Sequence, residues 1–459
     1  MKIGLLPLYI KLYDDCVPGI RPRLEAFYEE VAGMFEQRGV EVVKSGFCRI
    51  KPEFEETVAV FEEAQVDAIV TLHMAYSPSL ESIESLARTK LPIIVLDTTE
   101  TMEFTNMQDP GEISYCHGIH GVMDMCSMLK RYGKPYAIAA GHFREDNCIE
   151  RVCGYVKAAI AAAALGNAYV GLVGGSFAGM GDFDVPAEEL KAKFGITVET
   201  VDPGLLAEKR GELKKEEIAE EIAVNEARFD FADNVIREEY EEAVTSCLAL
   251  RKVIAEKAYS AFSVNFLQVG PKNGLMSMPF LESCKAMEQG IGYAGEGDAL
   301  TAAFTGAFLR SYPETNFVEI FCPDWKNNIL FMSHMGELNY RIADTKPVIT
   351  RLGSNYTKGV FPYAGYTRMK GGKGVYVNVS REKDEYQLLL AETEMLSYEE
   401  DNFAGSMRGW MKPANGTTAE FLEKLSINGA THHSSFVYGA TIEELKYFGA
   451  LLSMKVVVI

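Results

Sequence analysis

Two glutamates and a scatter of histidines are the residues of this chain whose types and surroundings could do chemistry. Glu296 lies in GYAGEGDALTAAF, between two glycines and just ahead of a helix that Asp298 is placed to cap. A glutamate there projects from a tight turn, although a charge at a helix start is also stabilised by the dipole. Glu319 lies in TNFVEIF, in a predicted strand, where alternation of Phe317, Glu319 and Phe321 puts its carboxylate on an aromatic face. A buried carboxylate is costly unless it is paired or binds a metal. The seven histidines are His73, His117, His120, His142, His334, His432 and His433. Several end predicted strands, as in VTLHMAYSP, AIAAGHF and ILFMSHM, and ligands of α/β folds gather at the carboxyl ends of strands. A hydrogen bond to a loop is the competing use of each. Glu296, Glu319, His334 and His433 show no local metal-box spacing. Two carboxylates with two imidazoles would nonetheless suit a divalent ion such as Mn²⁺, and also Co²⁺, Fe²⁺ or Zn²⁺.

The stretch GLVGGSFAGMGD invites a nucleotide reading, but it has no GxGxxG in register and no GK[ST] follows. It reads as a tight structural turn.

These residues need elements to hold them. In the first third, the runs Lys2 to Leu6, Val40 to Val43, Ala68 to Leu72, Ile93 to Leu96 and Tyr136 to Ala140 read as buried strands. Helical patterns at Arg21 to Arg38, Phe54 to Gln65, Ser79 to Arg88 and Gly118 to Arg131 separate them, a rhythm that predicts a doubly wound parallel sheet. A second α/β unit starts near Ala168, with AYVGLVGG and ITVETVD as strands and a charged helical stretch from Gly211 to Lys257. After about Glu314, FVEIF, ILFMSH, PVITRL, GVYVNV and EYQLLLAE read as short strands, closed by a helix from Thr441 to Leu452 and a last strand KVVVI. The expected fold is therefore two doubly wound α/β domains, 1–165 and 166–313, followed by a mainly β C-terminal domain, 314–459, that contributes to the metal site.

Bulk properties narrow the function. A chain of 459 residues, 47% hydrophobic and 24% charged, reads as a multidomain globular protein. A net charge of −20 argues against a nucleic-acid partner, which needs a basic surface. The N-terminal MKIGLLPLYIKLYDD reads as a first strand rather than a signal peptide. The most apolar stretch, Tyr155 to Val173, carries Lys157, Asn167 and a glycine break and predicts no membrane span. Nine scattered cysteines, odd in number and without CxxC spacing, fit a reduced, cytoplasmic compartment.

On these residues the sequence resembles the L-arabinose isomerase and L-fucose isomerase superfamily, closer to the arabinose branch and over nearly the whole chain. The family's glycine–glutamate–glycine–aspartate turn appears as AGEGD, and its second glutamate falls on Glu319. Its serine–histidine–methionine motif is SHMGE, giving His334, and its late double histidine matches GATHHSSFVYGAT. The resemblance implies Glu296, Glu319, His334 and His433 as ligands of a Mn²⁺-type ion, with His433 rather than His432 as the second imidazole. It implies that Glu296 and Glu319 are catalytic, at least one moving protons. LHMAYSPS, AAGHFRE and TNMQDPGEISYCHGIHG resemble further family segments, which places His117 or His120, and also His432, near the sugar. Where arabinose isomerases begin with a serine–glutamine–x–leucine–tyrosine–glycine segment of the sugar pocket, this chain has LPLYIKLYDD, and GSFAGMGD is more like the fucose-type relatives.

The implied activity is aldose–ketose isomerisation of a small aldose through a metal-bound enediol. The implied assembly is a homo-oligomer, trimer or hexamer, with active sites at subunit interfaces. The alternatives are a metal-free sugar-binding or sensing protein on the same scaffold, and a sugar epimerase using the same enediol chemistry.

Overall fold

The computed structural model describes residues 1–459 and divides into two compact units, Met1–Ile160 and Ala161–Ile459. The first unit contains strands β1 (Lys2–Leu8), β2 (Glu41–Lys44), β3 (Ala68–His73), β4 (Ile93–Asp97) and β5 (Tyr136–Ala140). They form one parallel sheet in the order β2-β1-β3-β4-β5. The central strands read as near-continuous apolar runs because both faces are covered by helices. Phe54, Phe61, Ile83, Leu86, Val122 and Met125, from helices Lys51–Glu63, Ser79–Arg88 and Ile119–Arg131, pack on Leu6, Ile69 and Val95 of the sheet. This is the doubly wound domain that the strand–helix rhythm predicts.

The second unit contains β6 (Tyr169–Val173), β7 (Thr197–Thr200), β8 (Asp230–Phe231), β9 (Ala261–Val264), β10 (Gly292–Gly295), β11 (Thr315–Asp324), β12 (Ile329–Ser333), β13 (Val348–Arg351), β14 (Tyr363–Tyr366), β15 (Gly372–Glu382), β16 (Glu385–Met395), β17 (Gly409–Pro413), β18 (His433–Tyr438) and β19 (Lys455–Val458). A second parallel sheet runs β10-β9-β6-β7. The antiparallel strands β15-β18-β11-β12-β17-β16 close on themselves through the β15–β16 pair, making a barrel to which β19 adds in parallel along β16. Closure removes the open edges that a free sheet would expose.

Between the second parallel sheet and the barrel lies helix Ala299–Leu309, every residue of which is buried. It packs on β6, β9 and β10 from one side and on β11 and β18 from the other. An all-round apolar sequence, ALTAAFTGAFL, is what such a position demands. The Thr305 and Ser435 hydroxyls, 2.9 Å apart, tie the helix to β18. The start of this helix is therefore pressed against the barrel strands that carry Glu319 and His433.

One expectation needs correction. The stretch Gly211 to Lys257 is not one helical run. Helices Lys215–Arg228 and Arg237–Lys257 are separated by β8, because Phe229 and Phe231 turn inward onto Tyr340 and Tyr240 and β8 pairs with β13. PVITRL forms the expected strand, and this strand, β13, is the middle of a separate β8-β13-β14 sheet rather than part of the barrel.

Candidate metal centre

Glu296 follows β10 on a turn that admits few other sequences. Its backbone is left-handed (φ 62°), which a non-glycine residue adopts only at a cost of order 1–3 kcal/mol. A Cβ at Gly295 would stand 2.6 Å from the His334 ring, and one at Gly297 (φ 87°) would stand 2.3 Å from the Gly175 carbonyl oxygen. The glycines thus let the turn press against His334 on one side and the GGSFAGMGD loop on the other. Asp298 completes the motif by accepting a bond from Thr301 N–H at 2.8 Å, capping the buried helix.

Glu319 is placed by sheet register. In β11 it lies directly across from His433 in β18 and from Ser333 at the end of β12, after which comes His334. Three sequence-distant residues are thus neighbours because three strands pair. The Phe317 ring packs 4.9 Å from both the His334 and the His433 rings. The expected aromatic face stops there. Phe321 is 43% exposed, because β11 bulges between Ile320 and Cys322 and turns the following side chains outward.

Each imidazole is aimed by a carboxylate. His334 Nδ1 lies 2.7 Å from Glu337 Oε2, and Glu337, buried, also accepts from Tyr293 Oη at 2.6 Å and from Gly336 N–H at 2.9 Å. His433 Nδ1 lies 3.0 Å from Asp298 Oδ2, both side chains fully buried. With Nδ1 engaged, Nε2 of each ring is the free ligand atom. This is the arrangement in which outer carboxylates orient metal-binding histidines. His433 Nε2 and Glu296 Oε2 are buried with no hydrogen-bond partner, which is what a donor set awaiting a cation leaves behind. Ligand atoms of Glu319, His334 and His433 lie within 4.8 Å of one another, as do those of Glu296, His432 and His433. The four residues singled out in the sequence are brought together, and His433 belongs to both groups whereas His432 belongs to one. Nitrogen and oxygen donors in this mixture fit Mn²⁺, Fe²⁺, Co²⁺ or Zn²⁺.

The electrostatics separate the two glutamates. Burial pushes the Glu319 carboxyl upward, and His334 and His433 only partly offset this. Burial acts on Glu296 too, but the His432 contact and the fields of His433 and His334 overcome it and hold the carboxyl low. His432 is itself opposed by burial, yet the Asp182 carboxylate and then Glu296 push its imidazole up to about 10. Asp182 is held at about 2, its desolvation outweighed by the bonds from His432. A cavity of about 220 Å³ opens beside the donors, walled by Phe266, Met278, Phe280, Met335 and Leu352 and bordered by Glu296 and His334.

His117 and His120 lie in the first unit, their rings 5.8 Å apart. His117 Nε2 lies 2.7 Å from the Tyr13 hydroxyl and its Nδ1 2.5 Å from the Ile113 carbonyl. The sequence reading missed Glu337 and Asp182 altogether and saw Asp298 only as a cap. An acid three residues after His334 in SHMGE was the available signal for Glu337. Nothing local pairs Asp182 with His432.

Two family models match the second unit: the L-arabinose isomerase central domain over residues 184–310 and the L-arabinose isomerase C-terminal domain over 314–455. Together they span more than half the chain. This chain belongs to the L-arabinose isomerase family. Members of that family are aldose–ketose isomerases, intramolecular oxidoreductases. Similar curated proteins include L-arabinose isomerases of Erwinia tasmaniensis (23% identical, covering 88% of this chain and 84% of the relative) and of Geobacillus kaustophilus (21%, 86% and 81%). Among solved structures, a periplasmic solute-binding protein of Actinobacillus succinogenes with bound D-allose aligns at 13% identity over 66% of this chain and 87% of its own, with a TM-score of 0.18. No helix of the chain is long and apolar enough to cross a membrane.

Proposed function

We propose that this chain interconverts a small aldose and its ketose at a divalent metal held by Glu296, Glu319, His334 and His433, with Mn²⁺ the fitting ion. The observation that carries the reading is the convergence of two partly buried carboxylates with two imidazoles whose Nδ1 atoms are already committed to Asp298 and Glu337. A bound divalent cation supplies Lewis-acid stabilisation of negative charge on the sugar oxygens.

Isomerisation of the open-chain sugar moves one proton from C2 to C1 and one from O2 to O1, so atoms and electrons balance without any co-substrate. The chain's own groups able to take and return these protons are the carboxylates of Glu296 and Glu319. Phe317 packs against both imidazoles and apolar side chains wall the cavity beside Glu296, which lowers the local dielectric and strengthens charge interactions there. His334 and His433 hold their ring orientations through Glu337 and Asp298, so the site is set before the sugar arrives. We also propose a homo-oligomer, trimer or hexamer, with active sites at subunit interfaces, which sedimentation would report.

The test is metal analysis of the purified protein together with ketose formation from a panel of aldoses with added Mn²⁺. Bound metal and turnover of one aldose are expected. Absence of metal after Mn²⁺ addition, with no turnover, would remove the proposal.

A further inference from the structure

The glycine-rich loop after β6 ends at the donors and is fastened to them. Gly174, Gly175 and Gly179 take left-handed conformations (φ 82°, 75° and 105°), and a Cβ at Gly174 would stand 2.5 Å from Gln268 Cβ. Three bonds secure the loop. Phe177 N–H donates to the Glu296 carbonyl at 2.8 Å, the Ser176 hydroxyl donates to the Gly297 carbonyl at 3.0 Å, and the Asn265 amide donates to the Ser176 carbonyl at 2.9 Å. A loop so tied brings Asp182 and Phe183 to a fixed place. One Asp182 oxygen accepts from both the backbone N–H of His432, at 2.9 Å, and its ring Nδ1, at 2.6 Å. Phe183 lies flat on His433, with centroids 5.1 Å apart and planes within 5°, and 5.5 Å from the His432 ring.

Two bonds from one oxygen to the backbone and ring of the same residue leave His432 a single orientation. Its Nε2 then points inward, 3.6 Å from Glu296 Oε2. That distance is too long for a good hydrogen bond, and Glu296 Oε2 has no other partner. A hydroxyl oxygen approaching from the side, about 2.8 Å from Nε2, would take up this unused ring nitrogen.

We infer that Asp182 is a positioning residue that acts through His432, presenting its Nε2 beside Glu296 as the grip for one sugar hydroxyl. The inference rests on the isomerase reading above. Freed from Asp182, the ring can rotate away, and misplacement by about 1 Å near the chemistry costs on the order of 100-fold in rate.

A double-mutant cycle on the full-length, metal-loaded protein tests it, with kcat and KM measured separately and metal affinity by calorimetry. Asp182→Ala and His432→Asn are each expected to lower kcat by about 10- to 100-fold, and the double variant to be no worse than the poorer single one. Asp182→Asn, whose amide oxygen can still accept both bonds, is expected to recover to within about three-fold of the parent. Metal affinity should stay within about two-fold throughout, since neither residue is among the four proposed ligands. Additive losses, loss of metal in Asp182→Ala, or an Asn variant no better than Ala would each overturn the inference while leaving the isomerase intact. A parent protein that binds metal yet converts no aldose would remove the isomerase reading and this inference with it.

Discussion

Glu296 stands on a turn whose backbone is held left-handed between two glycines, whereas Glu319 stands in a barrel strand whose position follows from pairing with β12 and β18. The turn fixes its donor by local conformation and by close approach. Gly295 makes room for His334, Gly297 makes room for Gly175, and the strain at Glu296 is carried by its surroundings. The barrel fixes its donors by register, so Glu319 and His433 are opposite each other wherever the ladder is intact. The difference teaches that the site depends on two separable kinds of precision. Damage to the turn should move Glu296 alone, and damage to the ladder should move Glu319, His433 and His334 together.

The sharpest break tests the chemistry on the barrel side. Glu319→Gln keeps the size and the register but removes the charge, and kcat is expected to fall by about 10³-fold, roughly 4 kcal/mol, with the circular-dichroism spectrum and melting temperature unchanged. Near-parental turnover would remove Glu319 from the proposed machinery. On the turn side, Gly297→Ala meets both a left-handed backbone and a carbonyl oxygen 2.3 Å from its new Cβ. A loss of at least about 2 kcal/mol in denaturant unfolding is expected, with metal uptake impaired. A variant of parental stability and full metal content would show that the turn tolerates movement. The smallest effect should come from Glu337→Gln, which leaves ladder and turn in place and weakens the aim of His334 along with the bonds from Tyr293 and Gly336. Metal affinity is expected to fall by about 10- to 100-fold, with retained secondary structure. Unchanged affinity would mean that Phe317 packing alone orients the ring.

The two sides were also unequally legible. GEGD announces itself, since glycines flanking an acid before a helix make a turn whatever the rest of the chain does, and the Asp298 cap was visible on the same grounds. Glu319 was visible as a charge in an apolar run, but its neighbour across the ladder, His433, lies far along the chain. The aromatic alternation held at Phe317 and failed at Phe321, because a bulge is decided by partner strands rather than by the strand's own residues. The glycine-rich loop read correctly as a turn, yet its service to the site depends on contacts with Gly297, Glu296 and His432 that no local pattern encodes.

By itself the sequence determined the strand–helix rhythm of the first unit, the position of the GEGD turn, the helix that starts after Asp298 and the short list of possible donors. Each follows from backbone preference or apolar periodicity within a dozen residues. Only the tertiary structure decided which carboxylate aims which imidazole, that β11, β12 and β18 bring Glu319, His334 and His433 side by side, and that Asp182 reaches His432. Hydrogen-bond partners across a closed barrel are chosen by the packing of whole elements, and that choice leaves no periodicity in the chain to read.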